Sequence, residues 1–454
     1  MLGRTPIGIP IGVLALVFSM VLGCQAAPVE FIVTPTPTQF VESTSISPMH
    51  FPGINTFGRG NQDSLNSTLA LSDGRLVSVG WTISLSGWVP SWPNIPGSFV
   101  MITQPDGTST LTRYGYKHAE EHLADLAEAT NGDIIVVGGR YSIAGRGPLS
   151  DTEYGASISE IDSTGSPIWT HVYGGIFDHF SSVATSPDGS IYACGSTGDI
   201  DGVLWPSDVH SYNQTIVPIV AKLTSQGELV WVKNLGLDFV SAIVSAPNGD
   251  IVIAGAMSPA PDQPDNCRRN GQCPTLLRIL PSSDVVFTTA FWPGDLTPYT
   301  ISTPSDIAVD NSGEIVMVGS QNDFDAYVIK FSADGAMTWS RVFYPNYVSS
   351  DVAFISFSSV AFSPSGDIIV SGMGRLPGSA IALRSGLVAS FGDSGNVRWY
   401  QCLGEYIYNW FSSVSVSPDG TIAAVGAVSN TVYQPGLVDT AALFARLAAD
   451  GSIN

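Results

Sequence analysis

The hydrophobic pattern of this chain repeats. Seven segments each hold a short alternating run, a turn ending in Gly, and a second apolar run ending in Gly. They are LNSTLALSDGRLVSVG (65–80), LADLAEATNGDIIVVGG (123–139), FSSVATSPDGSIYACG (180–195), VSAIVSAPNGDIVIAG (240–255), PSDIAVDNSGEIVMVG (304–319), FSSVAFSPSGDIIVSG (357–372) and FSSVSVSPDGTIAAVG (411–426). Alternation with period two marks a strand. Asp-Gly or Asn-Gly between apolar runs is the strongest short-range hairpin signal, because the turn needs positive φ. The turn glycines are Gly74, Gly132, Gly189, Gly249, Gly313, Gly366 and Gly420, spaced 53 to 64 residues apart. A second Gly follows each by six residues, from Gly80 to Gly426.

Each unit carries a second hairpin, as in SISEIDSTGSPIWTHVYG (157–174) and IVAKLTSQGELVWVKNLG (219–236). In four units a Trp stands four residues after the turn Gly: Trp169, Trp231, Trp339 and Trp399. Unit one has Leu111 there. Unit four has Phe287 and no Gly, its turn being read at Asp284. Each repeat is therefore four antiparallel strands, a to d. Four-stranded units repeated radially predict an all-β fold, a seven-bladed β-propeller over 49–454. The last unit ends at AALFARLAADGSIN (441–454), which supplies strand c and no strand d. The spacing predicts that MHFPGINTFG (49–58) provides the missing strand and shuts the ring, which removes exposed sheet edges.

The SPDG-xI-xxxG core and the DAYVIKF strand at 325–331 resemble the bacterial delta-60 or SBBP-type propeller repeats over nearly all of residues 50–454. Strands c and d, as in SEIDSTGSPIW (159–169), resemble the tryptophan-docking motif of PQQ-like quinoprotein propellers. The resemblance implies that each Trp packs between neighbouring blades. It does not imply the quinone cofactor, because those dehydrogenases carry adjacent cysteines and this chain has none.

Composition refines the address. Only 13% of the 454 residues are charged, and 18 Lys and Arg against 39 Asp and Glu give a net charge of −21. That balance excludes a nucleic-acid partner, which needs a cationic footprint. It equally excludes docking on anionic lipid through a basic patch. Residues 1–23 read as a signal peptide: Arg4, an apolar stretch from Ile7 to Leu22, then Val21-Leu22-Gly23-Cys24. That ending resembles the bacterial lipobox, which implies diacylation at Cys24, a membrane anchor and an extracytoplasmic envelope location. Two acyl chains give stable anchoring. Residues 24–48, with Thr-Pro alternation at 34–38, read as an extended tether. Cys267 and Cys273 in DNCRRNGQC fit a small disulfide, with a metal pair as the alternative. Cys194 and Cys402 lie in strands and read as buried thiols.

Loop lengths carry the functional signal. The a–b turn to the end of strand b never varies, whereas the interval from the strand-b Gly to the c–d turn ranges from 16 to 32 residues. In a propeller the b–c and d–a connections share one face, so that face is individual and the other uniform. Binding residues collect on loops held by a rigid scaffold. The expected site residues are Trp88, Trp92, Asp199, Asp201, Trp205, Tyr212, Tyr406 and Trp410, aromatics and acids of the kind that receive sugars or peptides. The function expected is a monomeric binding or scaffolding module for a protein, peptide or glycan. The alternatives are a lyase or glycoside hydrolase using funnel carboxylates, and an envelope assembly factor. No catalytic residue and no cofactor are assigned. GDIDG (198–202) partly resembles a Ca²⁺ loop without the full pattern. His118-Ala-Glu-Glu-His122 matches the H-x-x-E-H zinc string but falls in a d–a connection rather than on a helix. His118, His122, His179 and His210 are the weak metal candidates on the loop face.

Overall fold

The computed structural model describes residues 43–46, 54–57, 63–82, 97–114, 119–142, 155–174, 178–198, 217–258, 273–291, 302–321, 325–343, 353–375, 384–403, 408–429 and 440–453. They form seven antiparallel sheets, each built on four strands in the order a-b-c-d. The innermost a strands are Ser64–Ala70, Ala119–Glu128, His179–Thr185, Phe239–Ser245, Ser302–Val309, Ala353–Phe362 and Tyr408–Val416. Each packs against the a strand of the next blade, and the seventh against the first, so the sheets stand in a ring. The fold is the seven-bladed β-propeller that the repeats predict.

Ring closure follows the predicted scheme. Ile54–Phe57 pairs antiparallel with Thr440–Leu447 and supplies strand d of blade seven, with Ile54 opposite Ala445 and Phe57 opposite Ala442. A second N-terminal strand does not follow from the pattern. Ser43–Ile46, within the stretch read as tether, pairs with Ser109–Tyr114 as a fifth strand on the outer edge of blade one. Ala119–His122 departs from the reading too: these residues begin strand a of blade two and are not a connection. Ala119–His122 therefore lacks the helical geometry an H-x-x-E-H site needs.

The low charge has a packing cause. Strands b and c are buried on both faces, because each blade presses apolar side chains into both neighbours. Blade six meets blade five through Phe391, Phe357 and Phe354 against Val316, Val318 and Val328. Blade seven meets blade one through Ala423, Val425 and Phe444 against Leu65, Phe99 and Met101. Each such buried Val, Leu or Phe contributes about 1.5–3 kcal/mol.

The two repeat glycines serve different ends. Turn Gly366 has φ +84, a conformation other residues rarely adopt, and a side chain there would meet open space. Strand-b Gly372 has ordinary φ but faces a β-bulge in strand a, between Phe357 and Ser359. A Cβ there would collide with the Ser356 carbonyl and stand 2.9 Å from Phe357 Cα. The same bulge recurs in all seven a strands.

The tryptophans lie between blades. The rings of Trp169, Trp339 and Trp399 cover Gly227, Gly395 and Gly451, the c–d turn glycines of the following blade. Trp339 Nε1 donates to Asp393 O at 2.9 Å and Trp231 Nε1 to Pro281 O at 3.3 Å. In blade four Phe287 covers Gly335, without an N–H to donate. The left-handed position of that blade's c–d turn falls on Ser283, φ 73, one residue before the Asp284 of the sequence reading.

Candidate functional site

The bulge sets the inner wall of the ring. The residue after it lies seven positions before the turn Gly: Ser67, Asp125, Ser182, Ala242, Asp306, Ser359 and Ser413. These side chains reach the next blade's backbone. Val183 N donates to Asp125 Oδ2 at 3.0 Å, Ile243 N to Ser182 Oγ at 3.3 Å, and Val360 N to Asp306 Oδ2 at 2.9 Å. Val414 N donates to Ser359 Oγ at 3.2 Å and Thr68 N to Ser413 Oγ at 3.1 Å. Between blades one and two, Ser67 Oγ donates to Asp125 Oδ1 at 2.7 Å. Six of the seven blade junctions thus share one hydrogen-bonded belt. The seventh, between blades four and five, lacks it because Ala242 has no polar atom, and Ile307 N turns to its own Asp306 Oδ1 at 2.8 Å.

Two carboxylates anchor the belt. Asp125 touches Ser67 of blade one and Ser182 of blade three, the blades on either side of its own, so it points towards the axis. Ser359 Oγ donates to Asp306 at 2.7 Å. Both residues are half-buried between blades. Burial pushes the Asp306 carboxyl up to about 6 against its hydrogen bonds, with the Asp125 charge adding to the rise. Burial raises Asp125 as well, opposed by the bonds from Ser67, Val183 and Ser182. A carboxylate pair near the axis is what a funnel hydrolase would call for, but these lone pairs are already engaged by belt donors. The sequence signal for the belt was the Ser-Ser pair in FSSV, present in three repeats and not read as functional.

Towards the loop-face end of strand a, the residue ten positions before each turn Gly is Ser64, His122, His179, Phe239, Thr303, Ser356 or Trp410, all half-buried, and we refer to this register as the mouth of the ring. Three sequence candidates, His122, His179 and Trp410, therefore share one register on blades two, three and seven. His122 stacks on Trp81 with ring centroids 5.5 Å apart and planes at 18°. His179 Nδ1 lies 3.1 Å from Ser196 Oγ. Tyr408 meets Trp410 edge-on at 5.7 Å. Just above, acids fasten strand a to strand b. Thr82 Oγ1 donates to Asp63 at 2.5 Å, Gly198 N to Asp178 at 2.8 Å, and Ser258 Oγ to Asp238 at 2.9 Å. Blade two uses a buried ion pair, Arg140 to Glu121 at 3.5 Å.

Trp88, Trp92, Asp199, Asp201, Trp205, Tyr212, Tyr406, His118, His210 and Cys24 lie outside the described residues. Cys273 is disulfide-bonded, and Cys267, its expected partner, lies outside them too. Cys194 and Cys402 are free thiols, raised by burial to about 12 and about 11. No cluster of three or more His, Cys, Asp or Glu fit for a metal occurs among the described residues.

The opposite face is latched. Arg278 pairs with Asp250 at 2.7 Å and reaches Ala333 O of blade five. Lys330 joins Glu314 at 2.6 Å and Asp393 of blade six. No model of a known protein family matches the chain, and no curated protein does. The fold and the arrangement of the mouth therefore carry the functional argument by themselves.

Proposed function

We propose that the protein is a lipid-anchored bacterial envelope protein, with repeats of the delta-60 or SBBP type, whose propeller binds a peptide or glycan at the loop-face mouth. The observation that carries this reading is the mouth itself. Trp410, Tyr408, Phe239, His179 and the Trp81–His122 stack bring aromatic and imidazole groups to one end of a rigid ring. The other face is tied by turns and ion pairs and offers uniform geometry. Flat rings with polar neighbours hold sugars and extended peptides by stacking and hydrogen bonds. Cys24 supplies the anchor and residues 24–42 the reach, at about 3.1 Å per residue when extended.

The test is a screen of glycan and peptide libraries with wild type, Trp410→Ala and Trp88→Ala. Binding that falls at least tenfold in Trp410→Ala supports the mouth, and unchanged binding in both variants refutes it. Palmitate labelling that survives Cys24→Ala refutes the anchor.

A further inference from the structure

We propose that the loop-face end of the junction between blades four and five is a second binding site, which takes a guanidinium or ammonium group of a partner between Gln321 and Asp325. Strand periodicity brings these two side chains together. Ile315 and Met317 of strand b, and Tyr327, Ile329 and Phe331 of strand c, face blade four in one apolar cluster. Period two puts Gln321 and Asp325 on that same face. They are direct partners in the strand register, which sets their Cβ atoms about 4.5–5.5 Å apart.

Gln321 is fully buried, and neither Nε2 nor Oε1 has a hydrogen-bond partner. Buried side-chain amides are satisfied in the great majority of cases. Asp325 is half-buried, forms no ion pair among the described residues, and has its carboxyl pushed up by burial alone. Blades one and two fill the corresponding place on strand b from within. Thr82 is held by Asp63, and the Arg140 guanidinium by Glu121. In blade five Gln321 stands where blade two has Arg140, Ser302 where it has Glu121, and Asp325 where it has Gly155, so the buried cation is gone and an acid is added on strand c.

Ala242 interrupts the belt at this junction, and only three residues, 322–324, connect strands b and c of blade five. With the amide N–H turned to Asp325, Gln321 Oε1 and the second Asp325 oxygen present two acceptors side by side. That matches the fork of a guanidinium. A chain with 18 basic and 39 acidic residues attracts such a partner by charge as well.

The probe is agmatine, titrated into the whole protein at constant ionic strength and followed by calorimetry. Saturable binding is expected in wild type and in Asp334→Asn, an exposed acid at the far end of the same blade. Asp325→Asn and Gln321→Leu weaken it by about tenfold or more, as loss of a charge-assisted contact requires. Asp325→Glu restores part of it. Heats that do not saturate, or that persist unchanged in Asp325→Asn, overturn the proposal. So does a Gln321→Leu protein that unfolds at higher denaturant while binding agmatine as before, for the amide is then only an unfilled or hydrated polar group. Gln321 and Asp325 are not among the residues of the axial mouth, so agmatine binding that depends on them and ligand binding that depends on Trp410 fail separately.

Discussion

Gly366→Ala and Gly372→Ala separate the two kinds of glycine in one blade. At Gly366 the φ of +84 is the whole problem, since nothing lies within 4 Å of the new Cβ. The left-handed region costs a non-glycine residue about 1–2 kcal/mol. At Gly372 the backbone is ordinary and the obstruction is covalent chain. Unstrained carbon atoms sit about 3.5–4.0 Å apart, whereas the new Cβ would stand 2.9 Å from Phe357 Cα and closer to the Ser356 oxygen. The bulge must retreat by more than half an ångström, and Ser359, the belt residue after it, moves with it. Overpacking alone costs about 1–3 kcal/mol. The displaced bond from Val414 N to Ser359 adds about 1 kcal/mol. The expected losses are about 1.5 kcal/mol for Gly366→Ala and about 3 kcal/mol for Gly372→Ala, read from urea midpoints at constant slope. Asn is the discriminating third residue. It tolerates positive φ, so Gly366→Asn recovers most of the loss and Gly372→Asn is worse than Ala. A Gly372→Ala protein within 1 kcal/mol of wild type, or one that Asn rescues, would refute the bulge argument.

Further outcomes follow from the ring. Asp306 has a folded-state pKa of about 6, above its unfolded value. Its contribution is therefore full below about pH 4 and is lost as pH rises through 6. A shift of that size sets a ceiling of about 3 kcal/mol, lowered by solvent screening. Urea midpoints from pH 4 to 8 should fall less steeply in Asp306→Asn, and parallel curves would dismiss the assignment. Removing residues 1–47 deletes, among the described residues, only the outer strand of blade one and should leave a cooperative transition. Removing residues 1–58 also takes Ile54–Phe57 from blade seven and should abolish it. Ala242→Ser offers an acceptor to Ile307 N and should gain about 0.5–1 kcal/mol by thermal melting. No gain would mean the hydroxyl does not reach across the junction.

The sequence determined the architecture because a repeat states its strand pattern seven times. Local rules fixed each hairpin: the turn glycines needed positive φ, and alternation assigned the faces. The last unit's missing strand d fixed closure from Ile54–Phe57. Chemistry was legible only where a residue type and a register coincided. Trp410, His122 and His179 stood out by type, and their common register at the mouth appeared once the bulges were in place. Asp125 and Asp306 gave no local signal. Their partners are 57 to 58 and 53 to 54 residues away, and only the closing of the ring brings those strands to one axis. Gln321 lies two residues beyond Gly319, where the repeat pattern read from the sequence ends. Its unpaired amide is a property of the junction between two blades, and no segment of chain holds both sides of that junction.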